Sequence, residues 1–154
     1  MENQELTSLF EENLFVPNLR ARSKEGALNE LAELLATKGK IKDKEILLEM
    51  LRQRESLGST GIGKGIAIPH GRSLAAPKLV IVFGKSNAGI HFDAIDGDPV
   101  HLFFMIIAPF QDGQNMYLVI LGKLAELLRK KKIRDELLKV KTFEKFTNII
   151  QGGL

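Results

Sequence analysis

The sequence predicts an α/β fold, with a β-sheet covered on both faces by helices. Two strongly apolar runs, residues 79–83 and 100–108, are too short for typical helices and lack a regular polar alternation, so they read as central strands buried on both sides. Helix-period stripes lie before the first run and after the second, which supplies covering layers for the sheet. The chain has 154 residues, 44% hydrophobic and 27% charged, which is enough for one folded domain over 1–154.

After a short N-terminal segment, Ser23 is placed to N-cap a first helix whose apolar stripe is Leu28, Leu31, Ala32 and Leu35, with Gly39 ending it. Asp43 caps the next, with stripe Ile46, Leu47, Met50 and Leu51. A glycine-rich stretch follows, Gly58-Ser59-Thr60-Gly61-Ile62-Gly63-Lys64-Gly65. It leads into Ile66-Ala67-Ile68-Pro69-His70-Gly71, a short strand that the proline is expected to end. After the two apolar strands come helices over about 113–130, 133–139 and 142–150. No repeat, low-complexity tract or Pro/Ser-rich linker divides the chain.

Composition narrows the function classes. Without cysteine there is no disulfide, thiolate metal site or cysteine nucleophile, which fits a cytoplasmic protein. No stretch reaches the ~18 apolar residues of a membrane span, and the acidic start MENQELTSLFEEN does not resemble a signal peptide. The net charge is +3, and Arg129-Lys130-Lys131-Lys132 carries much of it. That cluster reads as a solvated helix end, its cations complementing carbonyl dipoles, and lacks the interleaved aromatics of a single-strand nucleic-acid binder.

The glycine stretch nearly spells the nucleotide loop G-x-x-x-x-G-K-[ST], but Gly65 stands where a magnesium-binding hydroxyl is needed. Its context is also reversed, since a helix precedes it and a strand follows. Two readings stay open: a flexible connector, or an anion cradle in which Ser59, Thr60, Gly61 and Gly63 offer hydroxyl and backbone N–H donors.

His70 lies between a residue that fixes φ and one that relaxes it, at a strand end where scaffolds present side chains to solvent. Neutral imidazole, with an ordinary pKa of about 6.5, is a good nucleophile near pH 7, and attack on phosphorus gives a transferable phosphoramidate. A structural histidine is the alternative. Arg54 continues the stripe of Met50 and Leu51, which aims its stem at the sheet, where a guanidinium can fork onto phosphate oxygens or complement the helix C-terminus.

The stretch from Arg54-Glu55-Ser56-Leu57-Gly58 through Ile68-Pro69-His70-Gly71 resembles the signature of enzyme IIA domains of the bacterial phosphotransferase system (PTS), fructose/mannitol type, and is most similar to the nitrogen-related branch. Phe92-Asp93-Ala94-Ile95-Asp96-Gly97-Asp98-Pro99-Val100, the strand ending in Ala108-Pro109 and the helical segment 121–128 are similar too. The resemblance implies a mixed sheet of about five strands with helices on both faces. It implies that His70 is phosphorylated on Nε2 by an HPr-type phosphohistidine protein, with Arg54 stabilising the phosphate. The acceptor would be an enzyme IIB domain in sugar transport, or the phosphate would switch a regulated target protein. No metal or nucleotide cofactor is implied. Many relatives carry a second histidine where this chain has Tyr117, a phenol that can donate to phosphate but keeps its charge near pH 7. Tyr117 also fits ordinary packing with Ile120, Leu121 and Leu124, and it is the feature that favours the alternative function, a protein-interaction module that carries no phosphate.

His91 and His101 complete the histidines. Their spacings from His70 form no local metal motif. His91 is expected in an exposed turn, and His101 is expected to pack or cap an edge at the start of its strand.

Overall fold

The computed structural model describes residues 3–153; Met1, Glu2 and Leu154, at the ends of the expected domain, lie outside the described residues. The N-terminal segment folds into α1 (Asn3–Ser8), a 3-10 turn (Glu12–Leu14) and a short strand β1 (Phe15–Val16). Helix α2 (Lys24–Thr37) starts where Ser23 Oγ accepts from Gly26 N at 3.0 Å, and α3 (Lys44–Ser56) starts where the Asp43 carboxylate accepts from Glu45 N and Ile46 N. Each cap satisfies backbone donors that the first helical turn leaves unpaired.

The strands are β2 (Gly61–Gly63), β3 (Ile66–Ala67), β4 (His70–Arg72), β5 (Val80–Ile90) and β6 (Val100–Ala108). They form one mixed sheet in the order β1-β5-β6-β3-β2, with β4 also on β6. Six strands stand where about five were expected. The central pair β5–β6 is antiparallel, while β1 on β5 and both β3 and β4 on β6 are parallel. Helices α4 (Met116–Leu127), α5 (Lys131–Leu138) and α6 (Phe143–Gly152) complete the chain.

Strand alternation sorts the core into two layers. Val80 and Val82 of β5, with Phe103, Met105 and Ile107 of β6, pack toward α2 and α3; Ile81 and Phe83, with Leu102, Phe104 and Ile106, pack toward α1, α4, α5 and α6. Both faces of the central strands are buried, as their uninterrupted apolar character predicts. No helix among the described residues is long and apolar enough to cross a membrane.

Several expectations are corrected. Helix α3 buries Leu47, Leu48 and Leu51, whereas Ile46 is 46% exposed. The helix packs on α2 as well as on the sheet, which turns its buried face toward Leu48. Strand β5 runs to Ile90 because β6 continues to pair it, with an irregularity after Lys85. Helix α4 begins after residue 113 and ends before 130: the Asp112 carboxylate accepts from Tyr117 N at 2.9 Å and sets its first turn. The basic cluster straddles the α4–α5 junction. Lys131 and Lys132 open α5, the end where the dipole disfavours cations, and Lys131 is offset by Asp135 at 2.7 Å.

Candidate functional site

The glycine stretch is mostly a β-hairpin. Gly63 pairs with Ile66, and the two residues between them, Lys64 and Gly65, both have positive φ (57° and 80°), as a type I′ turn requires. Lys64 pays for its left-handed φ with an anchor: its N–H donates to Asp96 Oδ2 at 2.9 Å. The hydroxyls proposed for an anion cradle turn inward. Ser59 Oγ donates to Phe92 O at 2.7 Å and accepts from Gly61 N at 2.9 Å, and Thr60, 2% exposed, donates its hydroxyl to Glu55 Oε2. Glu55 Oε1 also accepts from Thr60 N at 3.0 Å and pairs with Lys24 Nζ at 3.0 Å, so the buried carboxylate is fully partnered. These residues brace the hairpin.

Past the hairpin, β3 and β4 lie end to end along β6: Ile66 and Ala67 pair with Leu102 and Phe103, and His70, Gly71 and Arg72 pair with Ile106, Ile107 and Ala108. The break falls at Ile68-Pro69, because Pro69 has no N–H for the ladder. Proline therefore interrupts the edge, and His70 opens the next strand, where a strand end was expected. The break has a chemical result. Ile68 N donates to Thr60 O at 3.0 Å, while Ile68 O lies 2.5 Å from His70 Nδ1. A carbonyl only accepts, so Nδ1 carries the proton and Nε2 holds the free lone pair.

Register then assigns the flanks of His70. His70 and Arg72 share a face with Ile106 and Ala108, toward α4, and Gly71 shares a face with Ile107, toward α3. A Cβ on Gly71 would sit 2.2 Å from Met50 Sδ. The missing side chain lets α3 close on β4, and Arg54, one helical turn beyond Met50, is thereby brought to the end of the strand. Arg54 is half-buried and its Nη1 donates to Gly58 O at 2.8 Å. On the other flank Tyr117, 8% exposed, lies with its ring centroid 6.0 Å from that of His70, and the Arg72 guanidinium sits 4.9 Å over the Tyr117 ring.

Electrostatics follow from this packing. Burial pushes the His70 pKa below its ordinary 6.5 and the Arg54 charge adds to that, against the opposing pull of the Ile68 carbonyl and Glu55. The imidazole is thus held neutral near pH 7. Burial raises the Tyr117 phenol, against the opposing charges of Arg72 and Arg54, so it stays protonated. The site is a neutral imidazole on the first residue of β4, opposite Ile106 near the carboxyl end of β6, with guanidinium groups arriving from α3 and from its own strand.

Of the residues singled out in the sequence, His70, Arg54 and Tyr117 converge. Arg72, Glu55 and the Ile68 carbonyl were not singled out. The signal for Arg72 was its place two residues beyond His70, and the expectation that Pro69 ended the strand concealed it. Exposed apolar side chains lie close to these residues in the chain: Leu57, Leu74, Phe110 and Leu118 are each within three residues of Arg54, Arg72, Pro109 or Tyr117. His91 lies exposed and pairs with Asp93 at 3.0 Å, and His101 Nδ1 donates to Ser86 O at 2.9 Å. Among the described residues no three histidine, cysteine or acidic side chains cluster to hold a metal.

Comparison with known proteins adds a family. The model described as "Phosphoenolpyruvate-dependent sugar phosphotransferase system, EIIA 2" matches residues 8–152. A fructose-specific EIIABC component of Bacillus subtilis is 35% identical over 94% of the chain, which spans 23% of that protein's length. A nitrogen regulatory protein of Bradyrhizobium diazoefficiens is 36% identical over 86% of the chain and 85% of its own length. The crystal structure of nitrogen regulatory protein IIA-Ntr from Neisseria meningitidis matches with a TM-score of 0.86 and 32% identity, covering 95% of this chain and 99% of that one.

Proposed function

The chain belongs to the EIIA 2 family of the phosphoenolpyruvate-dependent sugar phosphotransferase system, and on that premise we propose that it is a phosphocarrier whose His70 Nε2 accepts a phosphoryl group from an HPr-type phosphohistidine protein. The observation that carries this reading is the bond from His70 Nδ1–H to Ile68 O, which frees Nε2 as the nucleophile in a ring that burial keeps neutral. In the transfer the Nε2 lone pair forms a bond to phosphorus as the donor's nitrogen–phosphorus bond breaks, and the donor ring, protonated on its other nitrogen, takes the bonding pair and leaves as neutral imidazole. The positive charge of the phosphorylated ring is shared with Nδ1–H, which the Ile68 carbonyl accepts. Such a transfer asks of the protein chiefly positioning and charge stabilisation, which Arg54 is placed to supply. The reading assigns no metal, nucleotide or other cofactor.

The exposed apolar side chains around the site suit brief docking of a donor and then an acceptor, since a carrier must release both. The acceptor is an enzyme IIB domain in a sugar-uptake role; in a regulatory role the two negative charges on His70 alter binding to a target protein. Relatives named for each role match at similar identity. The test is labelling from phosphoenolpyruvate through enzyme I and an HPr-type donor. The parent takes up label and His70→Ala takes up none; a His70→Ala protein labelled as heavily as the parent overturns the reading.

A further inference from the structure

The geometry points to Arg72 as a second phosphate-binding residue, a guanidinium resting on the Tyr117 ring and able to move onto the phosphoryl group of His70. The inference rests on the phosphocarrier reading. Its first support is register: His70 and Arg72 are two apart on β4 and face α4 together, so both reach the same aromatic ring. The second is the state of the guanidinium. Arg72 is half-buried, and among the described residues it forms no ion pair, unlike Arg52, which binds Glu25 at 2.6 Å. Its in-plane contact is a long one, Nη1 to Pro109 O at 3.4 Å. Stacking occupies the face of a guanidinium and leaves the edge donors that match phosphate oxygens largely unspent.

The third support is charge balance. Phosphorylation adds roughly two negative charges at Nε2. Glu55 is already balanced by Lys24, so the cations left for the phosphate are Arg54 from the α3 side and Arg72 from the α4 side. Arg54 can donate while keeping its bond to Gly58 O, and Arg72 gives up one weak contact and part of a stack. The Tyr117 ring then serves as a shelf that holds the arginine beside the His70 ring.

The test loads the protein with phosphoramidate, a small donor with no docking surface, so that contact with phosphate is separated from contact with a partner. The parent, Arg72→Gln, Arg72→Lys and His70→Ala are compared by the loaded fraction at equilibrium and by the ¹⁵N resonance of the Arg72 side chain. Arg72→Gln is expected to lower the loading equilibrium about tenfold, the size of one charge-assisted hydrogen bond. Arg72→Lys is expected to recover part of the loss, and the parent's Arg72 Nε signal is expected to shift on loading. A loading equilibrium for Arg72→Gln within twofold of the parent, or an unshifted Arg72 signal in the loaded parent, overturns the inference and leaves the phosphocarrier reading standing. If the parent itself takes no phosphate on His70, both fall. Should Arg72→Gln fail to fold, Arg72→Lys and the parent's resonance decide alone.

Discussion

The two flanks of His70 are held in different ways. On the α3 side, Glu55 takes two hydrogen bonds from Thr60 and an ion pair from Lys24, Thr60 O takes Ile68 N, and Ile68 O takes the histidine ring. Each of these groups is committed to another part of the protein, and Arg54, with one bond to Gly58 O, is the group on that flank with donors to spare. On the α4 side, Arg72 rests on Tyr117 with one long hydrogen bond. The first flank sets the tautomer and position of the His70 ring; the second keeps a cation available. A transfer site needs both, because a fully satisfied shell aims the imidazole but has no donors left for an incoming anion.

That contrast can be broken from its rigid side. Glu55→Ala removes the partner of Lys24 and of both Thr60 donors, and is expected to cost about 3 kcal/mol in urea unfolding and to loosen Ile68 beneath the histidine. A loss under about 1 kcal/mol would show that the network does not brace the site. Gly71→Ala is the next largest, at about 1 kcal/mol in urea unfolding, since the added methyl displaces the Met50 thioether from its place against β4. The smallest effect falls on the loose side: Tyr117→Phe keeps the shelf and is expected to change stability by less than about 0.5 kcal/mol.

Acidity gives a further test. Burial depresses the His70 pKa, so its NMR titration midpoint is expected below 6.5. Above 6.5 the ring is neutral in folded and unfolded chains and contributes nothing. As pH falls below 6.5 the unfolded chain binds the proton first, and stability drops until the folded midpoint is passed. A midpoint above 6.5 would mean that the carbonyl and Glu55 outweigh burial.

The layers of this fold were legible in the sequence because their signals are local. Caps at Ser23 and Asp43, apolar periodicity and two uninterrupted strands each act over a few residues, and the resemblance around His70 supplied the proposed nucleophile. What was not legible depends on pairing across the chain. Whether Pro69 ends a strand or merely interrupts one is decided by β6, which continues past it. That decision places Arg72 beside His70 and frees Ile68 O, so one long-range pairing concealed both. The glycine stretch misled for a related reason: glycines that permit an anion cradle also permit a type I′ hairpin, and the packing partners Glu55, Phe92 and Asp96 select the hairpin.

On the phosphocarrier reading, the strand break at Pro69 fixes the proton on Nδ1 and leaves Nε2 to carry the phosphate. Long-range ¹H–¹⁵N NMR of ¹⁵N-histidine-labelled protein, before and after loading, tests it most directly. The expected result is a protonated Nδ1 on His70 in both spectra and phosphorus coupling to Nε2 alone in the second. Phosphorus coupling to Nδ1, or to either nitrogen of His91 or His101, would contradict it.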